Sequence, residues 1–343
     1  MKHLKKIAII CALLTFGTAY AVDLTKCVGS ITKDMSDGKS VTFWGYGTVG
    51  TTMGGGCTAT VPAEPINVVV GDTLNLTLNV TMMTPQEASP YNGHTIHLHG
   101  ADVDTRNDGV PDTNFLLRKD TFVNGDTYSF TPTKDMYGSY MYHCHVHTVK
   151  HLEMGMYGAM IVRPQDPNNA GAYLNQINES KDSAYAYEQI YLFSTVDPAY
   201  HNTDLNNNLD NPVFSDYNPK YFLINGAEGI STAAPAVMLS AKTNSKVALH
   251  LIGLHSVNGT FEIKDASGAP QSFTIYVEDG RTYSKPETTS SLDIAPAQRF
   301  DIIFTTPATS GTLYPQITYK KLRVDTANPS SAIYATAYGK VTF

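Results

Sequence analysis

The sequence predicts an all-β protein built from two sandwich or barrel domains in series. Three observations carry this prediction. Short stretches in which apolar and polar residues alternate recur along the chain. Turn-forming Gly, Pro, Asn and Asp residues separate these stretches. After the first residues, no segment of convincing length has the helical period of about 3.6 residues.

The first 21 residues have the organisation of an export signal, with Lys2, Lys5 and Lys6 as a positively charged start. Residues 7–16 form an apolar run that is too short to serve as a permanent membrane anchor. Ala19-Tyr20-Ala21 matches a small-x-small cleavage site. We therefore expect cleavage after Ala21 and a periplasmic or secreted mature protein with no membrane span.

The remaining chain, roughly 320 residues, is long enough for two domains of ordinary size. We expect the first domain at residues 22–165 and the second at residues 184–343. Residues 166–183 are rich in Asn, Asp, Pro and Ser and are predicted to be a linker. The formal net charge is −7 and no basic stretch stands out, so nucleic acid is not an expected partner.

The strand candidates follow the chain in order. Residues 66–80 alternate around a turn at Gly71-Asp72 and predict two strands. Residues 202–211 are predicted to be an exposed loop. The further strand candidates are residues 94–100, 137–145, 155–162, 189–193, 221–225, 246–252, 260–263 and 300–304.

Three cysteines remain after the export signal, an odd number for a protein in an oxidising compartment. Cys27 and Cys57 lie near the start of the first domain, whereas Cys144 lies among histidines. We expect a Cys27–Cys57 disulfide, worth roughly 3–4 kcal/mol by the chain-entropy argument, and a thiolate at Cys144. The alternative is that Cys27 and Cys57 are both free.

Seven of the 11 histidines fall in two short segments, residues 94–100 (HTIHLHG) and residues 143–151 (HCHVHTVKH). A single histidine is usually structural, but histidines at this density around a cysteine are a strong signal for a transition metal. Alternation along a strand divides them into two faces. His94 and Cys144 are expected on one face. The other face collects four imidazoles: those of His97, His99, His143 and His145.

The first face has the ligand types of a blue-copper centre, in which a thiolate and two imidazoles bind in a plane with a weak axial thioether. His151 and Met156 lie on the return of the chain after Cys144. The predicted ligands of this site are His94, Cys144, His151 and Met156. Met154 is the alternative axial ligand.

The second face offers only imidazoles, which suit copper that binds oxygen or a small anion. Because His143 and His145 flank Cys144, a few covalent bonds join the two faces and give electrons a short route. His147 joins the second face only if the strand continues, so we expect it outside the set of ligands.

These motifs resemble the multicopper oxidase superfamily, which includes laccase-like oxidases and the copper nitrite reductases. The resemblance implies two cupredoxin-like Greek-key domains, with copper motifs in the first. It is carried, in chain order, by residues 97–100, 108–111, 138–145, 151–156, 223–226 and 295–301.

The resemblance also implies roles for the ligands. The first face matches a type 1 copper site. In the oxidases, His97 matches a type 2 ligand, whereas His99, His143 and His145 match type 3 ligands. In the nitrite reductases, His99 and His143 would hold type 2 copper, and His97 would take the place of the catalytic aspartate.

Two features depart from the oxidases. The spacing from Cys144 to His151 is two residues longer than theirs and shorter than in the nitrite reductases. A three-copper cluster takes eight histidines from two domains, but the second domain here offers only His201, His250 and His255. We therefore expect a homo-oligomer in which another subunit provides the missing ligands.

Residues 250–255 (HLIGLH) resemble a nitrite reductase segment that carries an active-site histidine. His255 is therefore the candidate catalytic residue. His250 is a second candidate, and the alternative is that His250 takes an outward position on a strand.

The leading functional hypothesis is a copper oxidoreductase that takes electrons at the first face and reduces oxygen or a small acceptor at the second. The alternative is a non-catalytic copper-binding or electron-transfer protein. Glu153 is a candidate docking position for an electron donor, which is a small molecule, a metal ion or a redox protein. A third interpretation treats residues 102–109 as a calcium loop, although they lack the spacing and closing glutamate of such loops.

Overall fold

The computed structural model of the protein describes residues 20–49, 56–79, 94–110, 126–169, 171–201, 217–321 and 332–343. These residues form two β-sandwiches in series, which confirms the predicted fold class. The predicted loop at residues 202–211 and residues 1–19 of the predicted export signal lie outside the described residues. Within the described parts of the chain, no helix is long and apolar enough to cross a membrane.

The first sandwich packs a five-stranded sheet, in the order β3-β2-β1-β5-β7, against a four-stranded sheet, in the order β4-β9-β8-β6. Its strands are Ala21–Asp34 (β1), Ser40–Val49 (β2), Cys57–Ala59 (β3), Ala63–Val69 (β4), Thr73–Asn79 (β5), His97–His99 (β6), Asp126–Phe130 (β7), Gly138–His143 (β8) and Tyr157–Arg163 (β9).

The second sandwich contains a seven-stranded sheet, in the order β12-β11-β10-β14-β20-β17-β18, and a sheet in the order β13-β22-β21-β15-β16, with β19 beside β15. Its strands are Tyr187–Val196 (β10), Tyr221–Ile224 (β11), Ala227–Glu228 (β12), Val237–Ser240 (β13), Lys246–Gly253 (β14), Gly259–Asp265 (β15), Pro270–Gln271 (β16), Phe273–Glu278 (β17), Arg281–Thr289 (β18), Ser291–Ile294 (β19), Arg299–Thr305 (β20), Thr312–Lys320 (β21) and Ile333–Thr342 (β22).

Helices are short. Thr148–Met154 (α1) and Pro198–His201 (α2) are α-helical, and Thr105–Asn107 and Lys181–Ser183 form 3-10 turns. The segment predicted to be a linker is packed against the folded domains, because Ile177 is buried in a hydrophobic cluster that includes residues of both.

The burial pattern of the strands explains the alternation of apolar and polar residues in the sequence. In β5, buried and half-buried residues alternate along the whole strand, as expected where one face lies on the core. The predicted turn at Gly71 separates β4 from β5, and its positive φ of 89° explains the glycine. The predicted disulfide between Cys27 and Cys57 is formed and joins β1 to β3, which confirms that pairing.

A buried polar network joins the two sandwiches. Ser139, on β8 of the first domain, donates hydrogen bonds to Asp301 on β20 from its amide (2.8 Å) and its hydroxyl (2.5 Å). His250, on β14, lies 2.5 Å from Asp301 through Nδ1 and 3.1 Å from Glu188 through Nε2. Arg163, on β9, closes the network with a 2.8 Å ion pair to Glu188.

His250 lies on the face of β14 opposite the second-domain core, as the outward alternative expects, but this face is buried against the first domain and the side chain lies between two carboxylates. Burial lowers the pKa of His250, but the hydrogen bonds that its ring donates to the Asp301 and Glu188 carboxylates outweigh burial and raise the pKa above its ordinary value. Burial opposes ionisation of Glu188, yet His250 and Arg163 outweigh it and lower the pKa of Glu188 to about 2. The imidazolium of His250 therefore stabilises the contact between the domains.

We predict a pH-dependent stability from His250. Because its pKa is higher in the folded state, its contribution is fully present below about pH 6.5 and is lost as the pH rises through the folded-state pKa. Urea unfolding at pH 5.5–9 should show a stability advantage of the wild type over His250→Gln that shrinks as the pH rises. Asp301→Asn should cost about 3 kcal/mol near neutral pH, since it leaves a buried charge without its partner.

Lys39→Gln, which removes an exposed ion pair with Asp37, is the control and should leave the pH dependence unchanged. An advantage over His250→Gln that does not vary with pH would contradict the assignment.

Candidate copper sites

Three of the four ligands predicted for the first face lie together in the structure. Cys144 follows β8 directly, and its Sγ lies 3.1 Å from Nδ1 of His151 and 3.8 Å from Nδ1 of His94. The three donor atoms all lie within 4.8 Å of one another, and all three side chains are buried. We call this group the thiolate site.

The local backbone explains how the thiolate site closes. The Cys144 amide donates a hydrogen bond to the Met156 carbonyl (3.1 Å), so the chain leaving the sheet is paired with the chain returning to it. Between them, α1 carries His151 back toward the sulfur and ends at Gly155, whose φ is 110°. A Cβ at Gly155 would lie 2.8 Å from the Trp44 carbonyl oxygen, so glycine is required there.

Both candidate axial methionines are buried in the apolar cluster that contains Cys144. Met156 as the axial ligand, with Met154 as the alternative, stays a prediction. His147 does not continue the strand: it has a left-handed backbone (φ 42°) and starts α1, with its ring centroid 6.0 Å from that of His151.

The electrostatics of the thiolate site favour the metal-binding form of the cysteine. Burial alone would raise the pKa of Cys144, but the neighbouring imidazoles of His151 and His94 outweigh burial and hold this pKa well below its ordinary value. The Thr95 amide also donates a hydrogen bond to Sγ at 3.4 Å. The sulfur is therefore prepared to act as a thiolate ligand.

Trp44 packs against both imidazoles of the thiolate site. Its ring meets that of His151 edge-on at 5.4 Å between centroids and that of His94 at 6.5 Å. The Lys150 ammonium lies 5.2 Å from the Trp44 ring centroid. Sequence reasoning missed Trp44, because β2 is distant in the chain from every ligand and carries no metal-binding motif.

The four imidazoles predicted for the second face also lie together, and we call them the histidine face. His99 Nδ1 is 3.2 Å from His143 Nε2, and the donor atoms of His97, His99 and His143 fit within 4.8 Å. The ring of His145 lies 5.1 Å from that of His97 between centroids. Three of the four imidazoles are thus grouped closely enough to share one metal ion.

Hydrogen bonds fix the orientation of two of these rings. His97 Nδ1 donates to the Asp108 carbonyl oxygen at 2.6 Å and lies 3.1 Å from its carboxylate. His143 Nδ1 donates to the Cys144 carbonyl oxygen at 2.9 Å. Because Nδ1 carries the proton in both rings, Nε2 is left as the metal-binding nitrogen.

Burial favours the neutral form of two imidazoles of the histidine face, those of His99 and His143. The pKa of His99 falls to about 4 through burial and the nearby charge of Arg299. The pKa of His143 falls to about 3, since burial outweighs its hydrogen bond to the Cys144 carbonyl. Neutral imidazole is the form that binds metal.

The acidic residues of the possible calcium loop have other partners. Asp102 forms a 2.7 Å ion pair with Arg281, and Asp104 forms a 2.9 Å ion pair with Arg106. Asp108 supports His97, as described above. Their carboxylates are therefore committed to cationic side chains or to the histidine face.

A cavity of about 440 Å³ lies in front of the histidine face, and the second domain of the same chain forms its opposite side. We call it the histidine cavity. His255 lines it, whereas His250 lies in the network between the domains. The candidate catalytic residue is therefore brought to the histidine face by the packing of the two domains.

Glu153 does not occupy the exposed position expected of a docking residue, and that expectation is wrong. Its carboxylate is buried and accepts hydrogen bonds from the Asp197 amide (2.6 Å) and the Tyr217 hydroxyl (3.0 Å). It therefore fastens α1 to the second domain.

Family comparison agrees with this geometry. Two family models, both described as multicopper oxidase, match residues 31–166 and residues 195–340. The chain belongs to the multicopper oxidase superfamily. Membership implies copper as the cofactor.

The chain is similar to copper resistance protein A of Escherichia coli (38% identity over 98 residues) and of Pseudomonas syringae pv. tomato (37% over 98 residues). Each match covers 28% of this chain and 14% of the relative, so the chain spans about one seventh of these curated relatives.

Solved structures share its fold. The blue copper oxidase from Nitrosomonas europaea superposes with a TM-score of 0.66 at 20% identity, over 94% of this chain and 85% of that chain. A multicopper oxidase from Campylobacter jejuni, described as a metallo-oxidase, superposes with a TM-score of 0.61 at 21% identity, over 94% of this chain and 58% of that chain.

The donor atoms of the thiolate site and of the histidine face are both of types that bind copper. A buried thiolate with two imidazole nitrogens is a donor set that copper prefers, and a face of neutral imidazoles is another. His94, Cys144 and His151 would hold copper at the thiolate site. Copper at the histidine face would be held by His97, His99 and His143, with His145 beside them.

We predict that Trp44→Ala destabilises the copper-free protein by about 3–5 kcal/mol, because it opens a cavity beside two ligand imidazoles. It should also weaken copper binding at the thiolate site. Urea unfolding and copper titration followed by thiolate absorption measure the two effects. Trp44→Phe keeps an aromatic ring and should retain most of both, so equal losses in the two variants would contradict this role.

We predict that Asp108→Ala lowers the copper affinity of the histidine face by at most about tenfold, since it removes the carboxylate 3.1 Å from His97 Nδ1 but keeps the backbone carbonyl that accepts from the same nitrogen. The thiolate absorption should not change. Copper titration with separate optical and paramagnetic-resonance readouts measures this. Asp104→Ala, which removes a carboxylate bound to Arg106, is the matched control and should have no effect on either site.

Proposed function

We propose that the protein is exported and acts as a copper oxidoreductase that takes electrons at the thiolate site and delivers them to the histidine face, where oxygen or another small acceptor is reduced. Copper, when bound, supplies the one-electron redox chemistry at both places. The observation that supports the proposal most directly is the position of Cys144. Its sulfur belongs to the thiolate site, and its neighbours His143 and His145 belong to the histidine face.

The chain's own contacts support a route between the two groups. His143 is bonded to Cys144 through the peptide link, and its Nδ1 also donates to the Cys144 carbonyl oxygen at 2.9 Å. One covalent path and one hydrogen bond therefore connect the cysteine to an imidazole of the histidine face. Thr95 braces this junction, since its hydroxyl accepts a hydrogen bond from the His145 amide at 3.0 Å.

His255 is the candidate catalytic residue of this proposal. It lines the histidine cavity on the side opposite the histidine face. Burial lowers its pKa to about 4, so the imidazole is neutral at neutral pH. Both ring nitrogens of His255 are buried, so proton transfer by this residue would require the ring to turn toward the cavity.

The proposed location is the periplasm or the outside of the cell. The predicted export signal and the Cys27–Cys57 disulfide both suit an oxidising compartment. A homo-oligomer that completes the histidine face is also part of the proposal. It is supported by the number of imidazoles, because the described second domain brings only His255 to the cavity.

The second candidate function is a copper-binding or electron-transfer protein in which only the thiolate site works. The surroundings of two second-domain histidines favour it. His201 donates from Nδ1 to the Thr42 carbonyl (2.7 Å), and His250 lies between two carboxylates. Both are therefore occupied by structural contacts.

We predict more than one copper per chain, and retention of the thiolate absorption in His99→Ala. The same variant should lose turnover with a phenol or cuprous ion under oxygen, and with nitrite, because the thiolate ligands are intact while the acceptor face is broken. Copper analysis, absorption spectra, molar mass in solution and turnover assays measure these outcomes.

Cys144→Ser is the reciprocal control and should lose the absorption at once. A single copper per chain with only a thiolate spectrum, or full turnover in His99→Ala, would rule out the oxidoreductase and support the second candidate.

A further inference from the structure

Two side chains of β2 reach the thiolate site from the opposite sheet of the first domain. Trp44 packs against the imidazoles, as described above. Tyr46 lies two residues further along β2, so its side chain points to the same face of the strand. Both residues are buried in the hydrophobic cluster that contains Cys144. Tyr46 differs from the apolar members of this cluster because its hydroxyl group has a specific partner beside the sulfur.

The partner of Tyr46 is Thr95, the residue that follows the ligand His94. The Tyr46 hydroxyl donates a hydrogen bond to the Thr95 carbonyl oxygen. The Thr95 amide donates to Cys144 Sγ at 3.4 Å, and the Thr95 hydroxyl accepts from the His145 amide at 3.0 Å. Thr95 is fully buried, and these three contacts hold it between β2 and the chain that leaves β8.

The charge of Cys144 acts on Tyr46 as well. Burial raises the pKa of the Tyr46 hydroxyl well above the ordinary value of tyrosine, and the nearby charge of Cys144 raises this pKa further. The phenol therefore keeps its proton, and its O–H group remains a hydrogen-bond donor to Thr95. A permanent donor at this position fixes Thr95 whether or not copper is bound.

Hydrogen bonds around the cysteine sulfur tune the reduction potential of a thiolate–copper site. A donor at the sulfur withdraws electron density from it and thereby favours the reduced metal ion. The strength of such a bond depends on how firmly the donor is held, because a hydrogen bond weakens steeply as its geometry relaxes. A side chain that fixes Thr95 therefore influences the sulfur through the Thr95 amide.

We propose that Tyr46 is a positioning residue for the thiolate site: its hydroxyl fixes Thr95 so that the Thr95 amide keeps its hydrogen bond to Cys144 Sγ, which raises the reduction potential of copper held there. This deepens the proposed function and rests on it for its relevance, since a higher potential makes the thiolate site a better acceptor of electrons. The contacts themselves belong to the copper-free chain.

Tyr142 provides a matched control. Its ring lies 5.7 Å from the Tyr46 ring between centroids, and both side chains are fully buried. The Tyr142 hydroxyl donates to the Glu64 carbonyl oxygen at 2.8 Å. Tyr46→Phe and Tyr142→Phe each remove one hydroxyl and one hydrogen bond to a backbone carbonyl, so the two variants differ mainly in the residue that is released.

The reduction potential of the thiolate site, measured by redox titration at the thiolate absorption, is the first readout. Tyr46→Phe should lower the ratio of cuprous to cupric affinity about fivefold, the equivalent of one hydrogen bond. For a one-electron couple this lowers the potential by about 40 mV, at about 59 mV per tenfold. The absorption itself should be retained, because all four predicted ligands remain. Tyr142→Phe should have the wild-type potential.

Hydrogen exchange of the Thr95 amide in the copper-free, full-length protein is the second readout. NMR should show about fivefold faster exchange of this amide in Tyr46→Phe than in the wild type, since its local opening becomes easier by about one hydrogen bond. Tyr142→Phe loses an equivalent bond elsewhere and should leave this exchange rate unchanged.

Thr95→Val is the second variant, because it removes the hydroxyl that accepts from the His145 amide. It should also lower the potential of the thiolate site. Since both substitutions loosen the same residue, Tyr46→Phe and Thr95→Val combined should shift the potential by less than the sum of their separate shifts.

An unchanged potential in Tyr46→Phe, an equal shift in Tyr142→Phe, full additivity with Thr95→Val, or an unchanged exchange rate of the Thr95 amide would each overturn the proposal. Circular dichroism checks the fold of every variant. Because amide exchange is measured without copper, failure of this proposal is distinct from failure of the proposed redox function, which the copper count and turnover of His99→Ala decide.

Discussion

The hydrogen bond from the Cys144 amide to the Met156 carbonyl fastens the point where the chain leaves β8 to the point where it enters β9. Both candidate copper sites depend on it. On one side of this pairing, α1 returns His151 to the sulfur. On the other, His143 remains in the sheet with the rest of the histidine face. Loosening this junction would move a ligand of each site at once, so neither site is built independently of the other.

The thiolate site shows why burial and charge must be considered together. Burial alone opposes a thiolate at Cys144, but the imidazoles of His151 and His94 lie close to the sulfur and reverse that effect. At the histidine face no charge reverses the effect of burial, and the imidazoles of His99 and His143 stay neutral. One physical cause, removal from water, therefore yields an anionic ligand at one site and neutral ligands at the other.

The second domain contributes to the candidate site mainly through its position against the first domain. The buried network of Ser139, Asp301, His250 and Glu188 fixes it against the first domain. Glu153 adds a second attachment through Asp197 and Tyr217. These contacts place His255 and Leu254 opposite the histidine face and turn an open metal-binding surface into a walled cavity. The second domain thus shapes access to the histidine face even though it offers few ligands of its own.

The sequence by itself determined the all-β class and the division of the histidines into two groups, because these depend on local alternation and on residue spacing. It favoured the Cys27–Cys57 disulfide because Cys144, the third cysteine, lies among histidines, and the structure forms that bond. His94 and Cys144 lie just outside β6 and β8, which begin at His97 and end at His143. The prediction from alternating faces still holds there, because hydrogen bonds to the Thr95 hydroxyl and the Met156 carbonyl keep the chain paired beyond the strands. Only the tertiary structure decided that His250 is structural while His255 faces the cavity, that Glu153 is buried, and that Trp44 supports the ligands. Each of these outcomes depends on contacts with residues that are distant in the chain. Patterns in the sequence around His250, His255, Glu153 and Trp44 do not indicate those contacts.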